Sequence, residues 1–512
     1  MDRPTATLKI TRFGPVRIGL GDKCYSTSPQ TFLCVSTMKH GPLRAQVSSV
    51  CSPASFLLLL KNYHSTQTDT DFPYREELPT DFDTTVKMSD LNSICVGIEL
   101  EFMVALQISG TNPAWNETRW ACPSTPEAYM GLVMGDYTIF KPPVIHKVCD
   151  TIASTGVAVS CDVYQPEPSD PVQLTGTSVL PLTGNSGDVR VWNQGVATDI
   201  AKPVQKTDTW FVVPETHITK DCVSKSGKTP SDKYDWFGTE LNSPILIHPE
   251  EFSQGLPTLR KCLKAVQANM ILGLNSDCGF HLHVNDAGNM KLETALRVAS
   301  LVWLLEDTLL YPLCHPFRSS SPFSARISVE SKIAHEDGEP SLMSDGEAFI
   351  HALQEAMTKL SWRKKVDKRL LGAMRRLWSE PNLASLGVAL RKFDEGERHT
   401  TTRCALVVTK YDTLEFRYPE SMFDVDFIAG WADLVRHLYA VAMKPQAEFH
   451  QIICRVYELV TRDQAPGWSA MMGAIGFQTD ISIWQRRLNE YRGSLSDLDK
   501  QGVLPNSGTV GL

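Results

Sequence analysis

Paired cysteines and long apolar runs are both missing from this 512-residue chain. Its 13 cysteines are scattered without a CxxC pair, which argues against a disulfide framework and a zinc ribbon. The longest apolar stretch near the N-terminus, Phe56 to Leu60, is far too short to cross a bilayer, and no signal-peptide pattern precedes it. By elimination, these absences predict a soluble cytoplasmic protein.

A basic excess is missing as well. The chain has 50 Lys and Arg against 58 Asp and Glu, a formal net charge of -8. Proteins built around nucleic acid usually carry a basic excess or a clustered basic face. The basic residues of 361–378 recur at helical spacing, which is typical of a solvated helix face. We therefore expect neither nucleic acid nor a membrane as a partner.

Three strand-like segments carry pairs of polar or charged residues two positions apart, with apolar residues between and around them. The pairs are Glu99 and Glu101 in GIELEF, His281 and His283 in CGFHLHV, and Glu415 and Arg417 in TLEFRYP. In a β-strand, residues two apart share a face, so the members of each pair point the same way. Carboxylate, imidazole and Glu/Arg pairs are typical of a site for metal and nucleotide.

Simpler interpretations of these pairs also exist. The glutamates of the first pair fit a solvated edge strand, since a one-sided sheet alternates in the same way. The two histidines fit hydrogen-bonded structural imidazoles, and the last pair fits a cross-strand salt bridge. Only their convergence on one cavity would favour a site over these interpretations.

The composition predicts one main domain with extensions. Residues 1–90 are rich in Pro, Ser, Thr and Asp and are predicted to be a largely disordered extension. Residues 91–495 are predicted to form one catalytic domain with loop insertions at 110–135 and 165–207, and 496–512 a flexible tail.

Strand and helix patterns alternate within the main domain. Strands are predicted at 94–106 and 157–164. Two further strands, 209–218 and 234–246, are predicted to pair around a turn, and residues 404–418 are predicted to form a hairpin. Helices are predicted at 139–154, 249–272, 291–313, 345–378, 425–462 and 479–493, and 319–340 is predicted to be flexible. Alternating strands and helices would suit a parallel sheet, but the paired strands favour an antiparallel, α+β arrangement.

Five short motifs follow one another in a recognisable order. They are GxExE, W-x-V before an acid, ExxSP, GxHxH and a late ExR. In this order they resemble the amidoligase family, a branch of the glutamine synthetase and glutamate-cysteine ligase superfamily, and more closely its fungal-type members. The resemblance covers roughly residues 94–440. It implies a curved antiparallel β-sheet funnel flanked by helices.

The resemblance also implies an activity. It predicts an ATP- and Mg²⁺-dependent ligase, with Mn²⁺ as an alternative metal, that forms amide or isopeptide bonds through an acyl phosphate. Its substrates would be carboxylates and amines of small molecules, peptides or protein side chains. Such an enzyme must neutralise a triphosphate and hold the carboxylate beside the γ-phosphorus.

Roles for individual residues follow from the same resemblance. The implied metal ligands are Glu99, Glu101, Glu240 and Glu415, because Mg²⁺ prefers oxygen ligands. Arg417 and Arg403 would hold phosphate or the substrate carboxylate. His283 would contact phosphate or metal, and His281 would lie beside it or support the substrate side.

One loop departs from the family pattern. Family members commonly have an Asp, a small residue and a Ser after the W-x-V strand, whereas this chain has Val213, Pro214, Glu215, Thr216 and His217. Glu215 keeps the charge and reaches one methylene farther, so it could receive the proton of the amine. The altered loop leaves the substrate, and activity itself, open.

Two other functions remain open at this level. Histidines and carboxylates also bind Zn²⁺ or Mn²⁺, so a metal-dependent hydrolase is one alternative, although no HExxH motif is present. An inactive binding protein that keeps the ligase fold is the other. The GxxxxGK[ST] motif is absent, which argues against an ordinary P-loop ATPase.

Overall fold

The structure is a computed structural model that describes most of residues 86–489 and four short strands before them. The positions within 86–489 that it does not describe are 87, 109–117, 124–142, 163–176, 180–188, 193–207, 216, 219–233, 275–277, 316–317, 320, 337, 339, 360–365, 395–401, 463–466, 483 and 487.

The chain forms two compact units, Met1–Phe82 and Asp83–Leu512. In the first unit, the described residues form two antiparallel strand pairs: β1 (Thr7–Leu8) with β2 (Val16–Arg17), and β3 (Tyr25–Ser28) with β4 (Thr31–Leu33). The disorder predicted for 1–90 and the flexible tail predicted for 496–512 lie largely or wholly outside the described residues. The predicted domain limits stay predictions.

The second unit is built on a ten-stranded open sheet. Its strands are β5 (Ile94–Gln107), β6 (Val159–Asp162), β7 (Thr177–Val179), β8 (Val189–Trp192), β9 (Trp210–Pro214), β10 (Tyr234–Asn242), β11 (Leu272–Gly273), β12 (Phe280–Asp286), β13 (Leu406–Val408) and β14 (Leu414–Phe416). Their order is β13-β14-β12-β5-β10-β9-β6-β8-β7, and β11 also pairs with β5.

Most neighbouring strands run antiparallel, as the sequence predicts. The exceptions are β6 with β9 and β6 with β8, which are parallel. An α+β fold is therefore confirmed, but the sheet is mixed at the β7 end. Parallel neighbours cannot be joined by a tight hairpin, and the chain indeed leaves β6 and returns to it through other strands.

Helices follow and cover the strands. They are α1 (Met88–Leu91), α2 (Pro143–Ala153), α3 (Pro249–Ser253), α4 (Pro257–Asn269), α5 (Leu292–Leu305), α6 (Ile327–Glu330), α7 (Lys332–His335), α8 (Ser344–Lys359), α9 (Lys368–Trp378), α10 (Leu383–Ala389), α11 (Val425–Met443), α12 (Gln446–Val460) and α13 (Trp468–Ala474). No helix among the described residues combines the length and the apolar character needed to cross a bilayer.

The apolar face of β5 packs toward the helices. Ile98, Leu100 and Phe102 are buried to within 1% exposure, and α11 contacts β5 and β12 on this side. Burying side chains of this size contributes about 1.5–3 kcal/mol each. Because residues alternate along a strand, this packing directs Glu99 and Glu101 to the opposite face of the sheet.

Two predicted long helices are each divided. The predicted helix 249–272 stops at Gly255 and Leu256, both with positive φ, and restarts at Pro257, a favoured first helical residue. The predicted helix 425–462 breaks before Gln446, where Pro445 precedes α12. Helical periodicity continued through these breaks, so the sequence pattern alone did not reveal them.

Two segments predicted to lack regular structure contain it. The predicted loop 165–207 contributes β7 and β8 to the sheet. The segment 319–340, predicted to be flexible, contains α6 and α7, and its Ile327 and Ile333 are fully buried. The polar composition of this segment led to the wrong prediction. Its polar groups form hydrogen bonds with buried partners elsewhere in the chain, which a sequence pattern does not reveal. The other predicted insertion, 110–135, lies mostly outside the described residues.

Candidate active site

The register of four neighbouring strands places the predicted polar pairs in one row. Residues that face each other directly across a strand pair share a face of the sheet. The facing pairs are Glu240 with Glu101, Glu99 with His281, and His283 with Glu415. The row thus runs from β10 through β5 and β12 to β14, on the face away from α11.

Glu99 lies between the two histidines. Its Oε2 is 3.1 Å from His281 Nδ1, and its Oε1 is 3.0 Å from His283 Nε2. Burial alone would raise the pKa of Glu99, but the nearby imidazoles outweigh burial and hold this pKa well below its usual range. The same contacts, against the opposing effect of burial, raise the pKa of His283.

Glu415 is almost fully buried and is paired with arginine. It forms salt bridges with Arg417 and, at 3.3 Å, with Arg403 Nη1, and its Oε1 is 3.7 Å from His281 Nδ1. Burial would raise the pKa of Glu415, yet the charges of Arg417, His283 and His281 together outweigh burial and lower it. The Arg417 side chain is only 13% exposed, whereas that of Arg403 is 56% exposed.

A second group of carboxylates lies on the β10 side of the row. Glu101, Glu215 and Glu240 each offer an oxygen within 4.8 Å of the other two. Burial and the charges of Glu99 and Glu101 raise the pKa of Glu240 well above its usual range. Burial also raises the pKa of Glu101, with Glu215 adding to this effect and His281 opposing it.

Both groups have donor sets that suit a cation. Glu99, His281 and Glu415 also offer ligand atoms within 4.8 Å of one another. His281 Nε2 is buried and makes no hydrogen bond among the described residues. Clustered buried carboxylates cost several kcal/mol per ion unless a cation compensates them. The all-oxygen group suits Mg²⁺, and the group with an imidazole also suits Mn²⁺ or Zn²⁺.

A glycine allows the His281 and Glu101 side chains to lie together. The Gly279 amide donates a hydrogen bond to Glu101 Oε2 at 2.5 Å. A Cβ atom on Gly279 would lie 2.3 Å from His281 Nε2 and 3.0 Å from Glu101 Oε2. The first residue of the GxHxH motif therefore has a steric reason to be glycine.

Glu215 reaches the site even though its loop departs from the family pattern. Its amide donates to the Gly238 carbonyl at 2.9 Å, and a Cβ on Gly238 would lie 2.1 Å from the Glu215 carbonyl oxygen. Glu215 Oε1 accepts a hydrogen bond from the His217 amide at 2.7 Å and lies 2.8 Å from His217 Nδ1. The close approach at Gly238 thus sets where this carboxylate lies.

A cavity of about 540 Å³ opens over the row. Its lining residues are Glu99, Glu101, Glu215, His217, Ile218, Glu240, His281, Pro322, Phe323, Thr402, Arg403 and Arg417. Glu415 and His283 lie behind this lining, where His283 Nδ1 is 2.9 Å from Thr413 Oγ1. All the predicted site residues are therefore brought to one region, while their individual roles stay predictions.

Sequence reasoning missed several residues of this region. Pro322 and Phe323 line the cavity from a segment predicted to be flexible, and His217 and Thr402 were given no role. Arg318 is 1% exposed and donates to the backbone carbonyls of Arg417 and Tyr418 at 3.1 and 3.2 Å. Only His217 could have been found from a local pattern, since it follows Glu215 by two residues. Pro322, Phe323, Thr402 and Arg318 reach the site only through tertiary contacts.

Comparison with known families decides the assignment. The model of the family described as "Putative amidoligase enzyme" matches residues 177–439, just over half of the chain. The chain belongs to the amidoligase family. The match assigns this family member to a group of ligase enzymes and covers every predicted site residue from Glu215 to Arg417. Glu99 and Glu101 precede the matched region, and the sheet register joins them to it.

No curated protein and no solved structure matches the chain significantly. The family assignment therefore depends on the matched family model, while the geometry of the site comes from this chain alone.

Proposed function

We propose that this amidoligase-family protein is an ATP- and Mg²⁺-dependent ligase that joins a carboxylate to an amine through an acyl phosphate. One observation carries the proposal: two cation-type donor groups lie side by side on one sheet face, and two arginines line the same cavity. Phosphate chemistry requires this combination of bound cations and fixed positive charge. The sheet, with its polar face opposite the helices, supports a glutamine synthetase-like fold as part of this proposal.

The two donor groups are the proposed cation sites. Glu101 and Glu240 would hold Mg²⁺ in the all-oxygen group, and Glu99 and Glu415 would hold a second Mg²⁺ or Mn²⁺ with His281. When bound, ATP and these ions supply the transferable phosphoryl group and the positive charge that neutralises it. The raised pKa of Glu240 fits this assignment, because a nearby cation would favour the ionised carboxylate.

The arginines are the proposed phosphate-binding groups. Arg417 is held in place by the buried Glu415 carboxylate, so its planar fork is oriented before a substrate arrives. Arg403 shares this carboxylate but is more than half exposed, which suits a group that approaches substrate phosphate or carboxylate from the cavity mouth. Fixed donors of this kind stabilise developing charge without reorganising during the reaction.

Glu215 is the proposed amine-side residue. It lines the cavity beside the all-oxygen group, and no Lys or Arg of the described residues lies within salt-bridge distance of it. A substrate ammonium would find compensating charge there, and Glu215 would receive its proton. His217, which is bound to Glu215 and also lines the cavity, would limit the orientations that this carboxylate can adopt.

The proposal is tested by ADP release from the full chain. Purified protein is incubated with Mg²⁺-ATP and pooled carboxylic acids and amines, and ADP and new amides are measured. We expect release that requires both substrates and falls at least 100-fold in Glu99→Gln and Glu240→Gln. The control is Glu347→Gln, which changes an exposed glutamate of α8 and should keep wild-type release.

Two outcomes would contradict the proposal. One is wild-type release in both folded site variants, which would overturn the site assignment. The other is turnover without ATP in protein that contains stoichiometric zinc. The group of Glu99, His281 and Glu415 favours this hydrolase alternative, because an imidazole together with carboxylates also binds zinc. Metal analysis of the purified protein distinguishes the two functions.

A further inference from the structure

A fully buried carboxylate lies behind the cavity wall and has no role in the site described above. Glu306 is 0% exposed and begins the π-helical turn Glu306–Leu310 that follows α5. π-helical turns are rare and occur mostly as single turns within α-helices, frequently at functional sites.

Glu306 joins two segments that are far apart in the chain. Its Oε1 accepts hydrogen bonds from the Ile327 amide at 2.8 Å and the Tyr418 hydroxyl at 2.6 Å, and its Oε2 accepts one from the Ser328 amide at 2.9 Å. Ile327 and Ser328 begin α6, and Tyr418 is the residue after Arg417. One carboxylate therefore holds α6 against the end of β14, which carries Glu415 and is followed directly by Arg417.

The residues between these contacts form part of the cavity. We call Ser321–Ser328 the wall segment, since its Pro322 and Phe323 line the cavity. The Ser324 hydroxyl donates to the Tyr418 carbonyl at 3.4 Å, and the Ser324 carbonyl accepts from the Tyr311 hydroxyl. The Ala405 amide donates to the Ala325 carbonyl at 2.7 Å. The wall segment is thus fastened to residues that directly precede β13 and closely follow β14.

The charge of Glu306 has no salt-bridge partner among the described residues. Arg326, the nearest cationic residue of the wall segment, pairs with Asp307 instead. The other ionisable groups that face Glu306 are Tyr311, Tyr418 and Cys404. Burial raises the pKa of Glu306 to about 7, although the hydrogen bonds that it accepts from Ser328, Tyr418 and Ile327 oppose this effect. Its charge therefore changes near neutral pH.

An ionised Glu306 makes the fold less stable. A carboxylate whose pKa is raised by folding contributes most to the free energy of unfolding below pH 4.5, and this contribution is lost as the pH rises through about 7. A neutral amide of the same shape would avoid that loss. What the ionised carboxylate provides is acceptors for three donors at once, which fixes geometry instead of adding stability.

We propose that Glu306 is a positioning residue whose ionised form holds the wall segment and the backbone at Arg417 and Tyr418 in the arrangement used for catalysis. This proposal rests on the proposed ligase function. When Glu306 is protonated, its O–H needs an acceptor of its own, and the three donors no longer share two fully accepting oxygens. Phe323 and the backbone at Arg417 are then held less firmly, so activity falls on the acid side of neutrality.

The kinetic test compares Glu306→Gln with Glu347→Gln, which changes an exposed glutamate of α8. For the wild type, kcat should fall below about pH 7. For Glu306→Gln, we expect kcat reduced about 10-fold at pH 8, little change in KM, and loss of the acid limb. Its Tm should rise above that of the wild type by about 2 °C or more at pH 8 and approach it at about pH 4. Glu347→Gln should keep the wild-type profile.

A second measurement does not depend on activity. Hydrogen exchange should show that the amides of Ile327 and Ser328, after correction for intrinsic rates, lose protection between pH 8 and pH 6 in the wild type. In Glu306→Gln their protection should not depend on pH. Protection that is independent of pH in the wild type, or an unchanged acid limb in Glu306→Gln, would overturn the proposal. If no ligase activity is found, the exchange result still decides whether Glu306 positions the wall segment.

Discussion

The two donor groups of the cavity lie side by side on one sheet face but differ in how their charge is compensated. Glu99 and Glu415 have imidazole and guanidinium partners, and their pKa values are lowered against the effect of burial. Burial raises the pKa of Glu101 although His281 opposes it in part, and burial together with neighbouring carboxylates raises the pKa of Glu240. We call these the compensated and the uncompensated group.

The difference shows that position on the sheet does not determine electrostatics by itself. All these carboxylates are buried or half-buried on the same face, so desolvation acts on each in the same direction. What separates them is the neighbouring strand: β12 and β14 provide His and Arg, while β10 and the loop after β9 provide Glu. The uncompensated group is therefore the one in which a bound cation should change the protein most.

The largest expected effect comes from removing compensation. Arg417→Ala leaves Glu415 buried beside a partly exposed Arg403, and we expect about 3–5 kcal/mol lower free energy of unfolding in urea. Arg403→Ala is the matched control, since its exposed pair with the same carboxylate should cost at most about 1 kcal/mol. Equal losses in the two variants would show that burial does not distinguish these arginines.

The next effect is steric. Gly279→Ala places a Cβ against His281 and Glu101, which face different donor groups, so we expect both groups to be distorted. The free energy of unfolding should fall by about 2–4 kcal/mol. Mn²⁺ binding, measured by electron paramagnetic resonance, should become weaker. Gly288→Ala, where a Cβ meets nothing within 4 Å, should leave both properties unchanged. Normal Mn²⁺ binding in Gly279→Ala would argue against a cation site at His281.

The pH dependence should have opposite sign in the two groups. The lowered pKa of Glu99 means that its contribution to stability is present above pH 4.5 and is lost as the pH falls, so Glu99→Gln should destabilise the protein at pH 7. The raised pKa of Glu240 means that its contribution is lost as the pH rises, so Glu240→Gln should stabilise metal-free protein at pH 8.

Each of these effects should be about 1–3 kcal/mol at pH 8. The effect of Glu240→Gln should shrink as the pH falls toward 4.5, whereas that of Glu99→Gln should shrink only below pH 4.5. Urea unfolding at about pH 3.5, pH 5 and pH 8, with and without Mg²⁺, measures both variants. Changes of the same sign in the two variants would show that the groups do not differ as described.

The smallest effect should come from the support of His283. Thr413→Val removes the hydroxyl that lies 2.9 Å from His283 Nδ1, and we expect the free energy of unfolding to fall by about 0.5–1.5 kcal/mol. The uncompensated group should keep its cation affinity, as measured by Mg²⁺ titration calorimetry. A large drop in that affinity would mean that the two groups act as one unit.

The sequence predicted the central part of this arrangement because alternation is local. Glu99 and Glu101 share a face once their segment is a strand, and the apolar residues between them determine which face is buried. The short turn between β13 and β14 made Glu415 and Arg417 predictable in the same way. Helix breaks at Gly255 and Pro445 were also visible as residue types, although periodicity continued through them.

Other features required long-range packing. The parallel neighbours of β6 depend on how the chain returns to the sheet, and no local pattern encodes that path. Phe323 enters the cavity wall because Glu306, Tyr418 and Ser324 fasten its segment to the hairpin. A polar segment whose donors form hydrogen bonds with buried acceptors elsewhere can have the same composition as a flexible segment, so composition does not distinguish the two.

The sequence by itself determined which residues share a strand face, and with them the chemical types available to the site. Only the tertiary structure decided which carboxylates are compensated, how Glu215 reaches the cavity past Gly238, and that Glu306 is buried behind its wall. The physical reason is range: side-chain alternation is set within a few residues, whereas desolvation and charge compensation depend on neighbours that are distant in the chain.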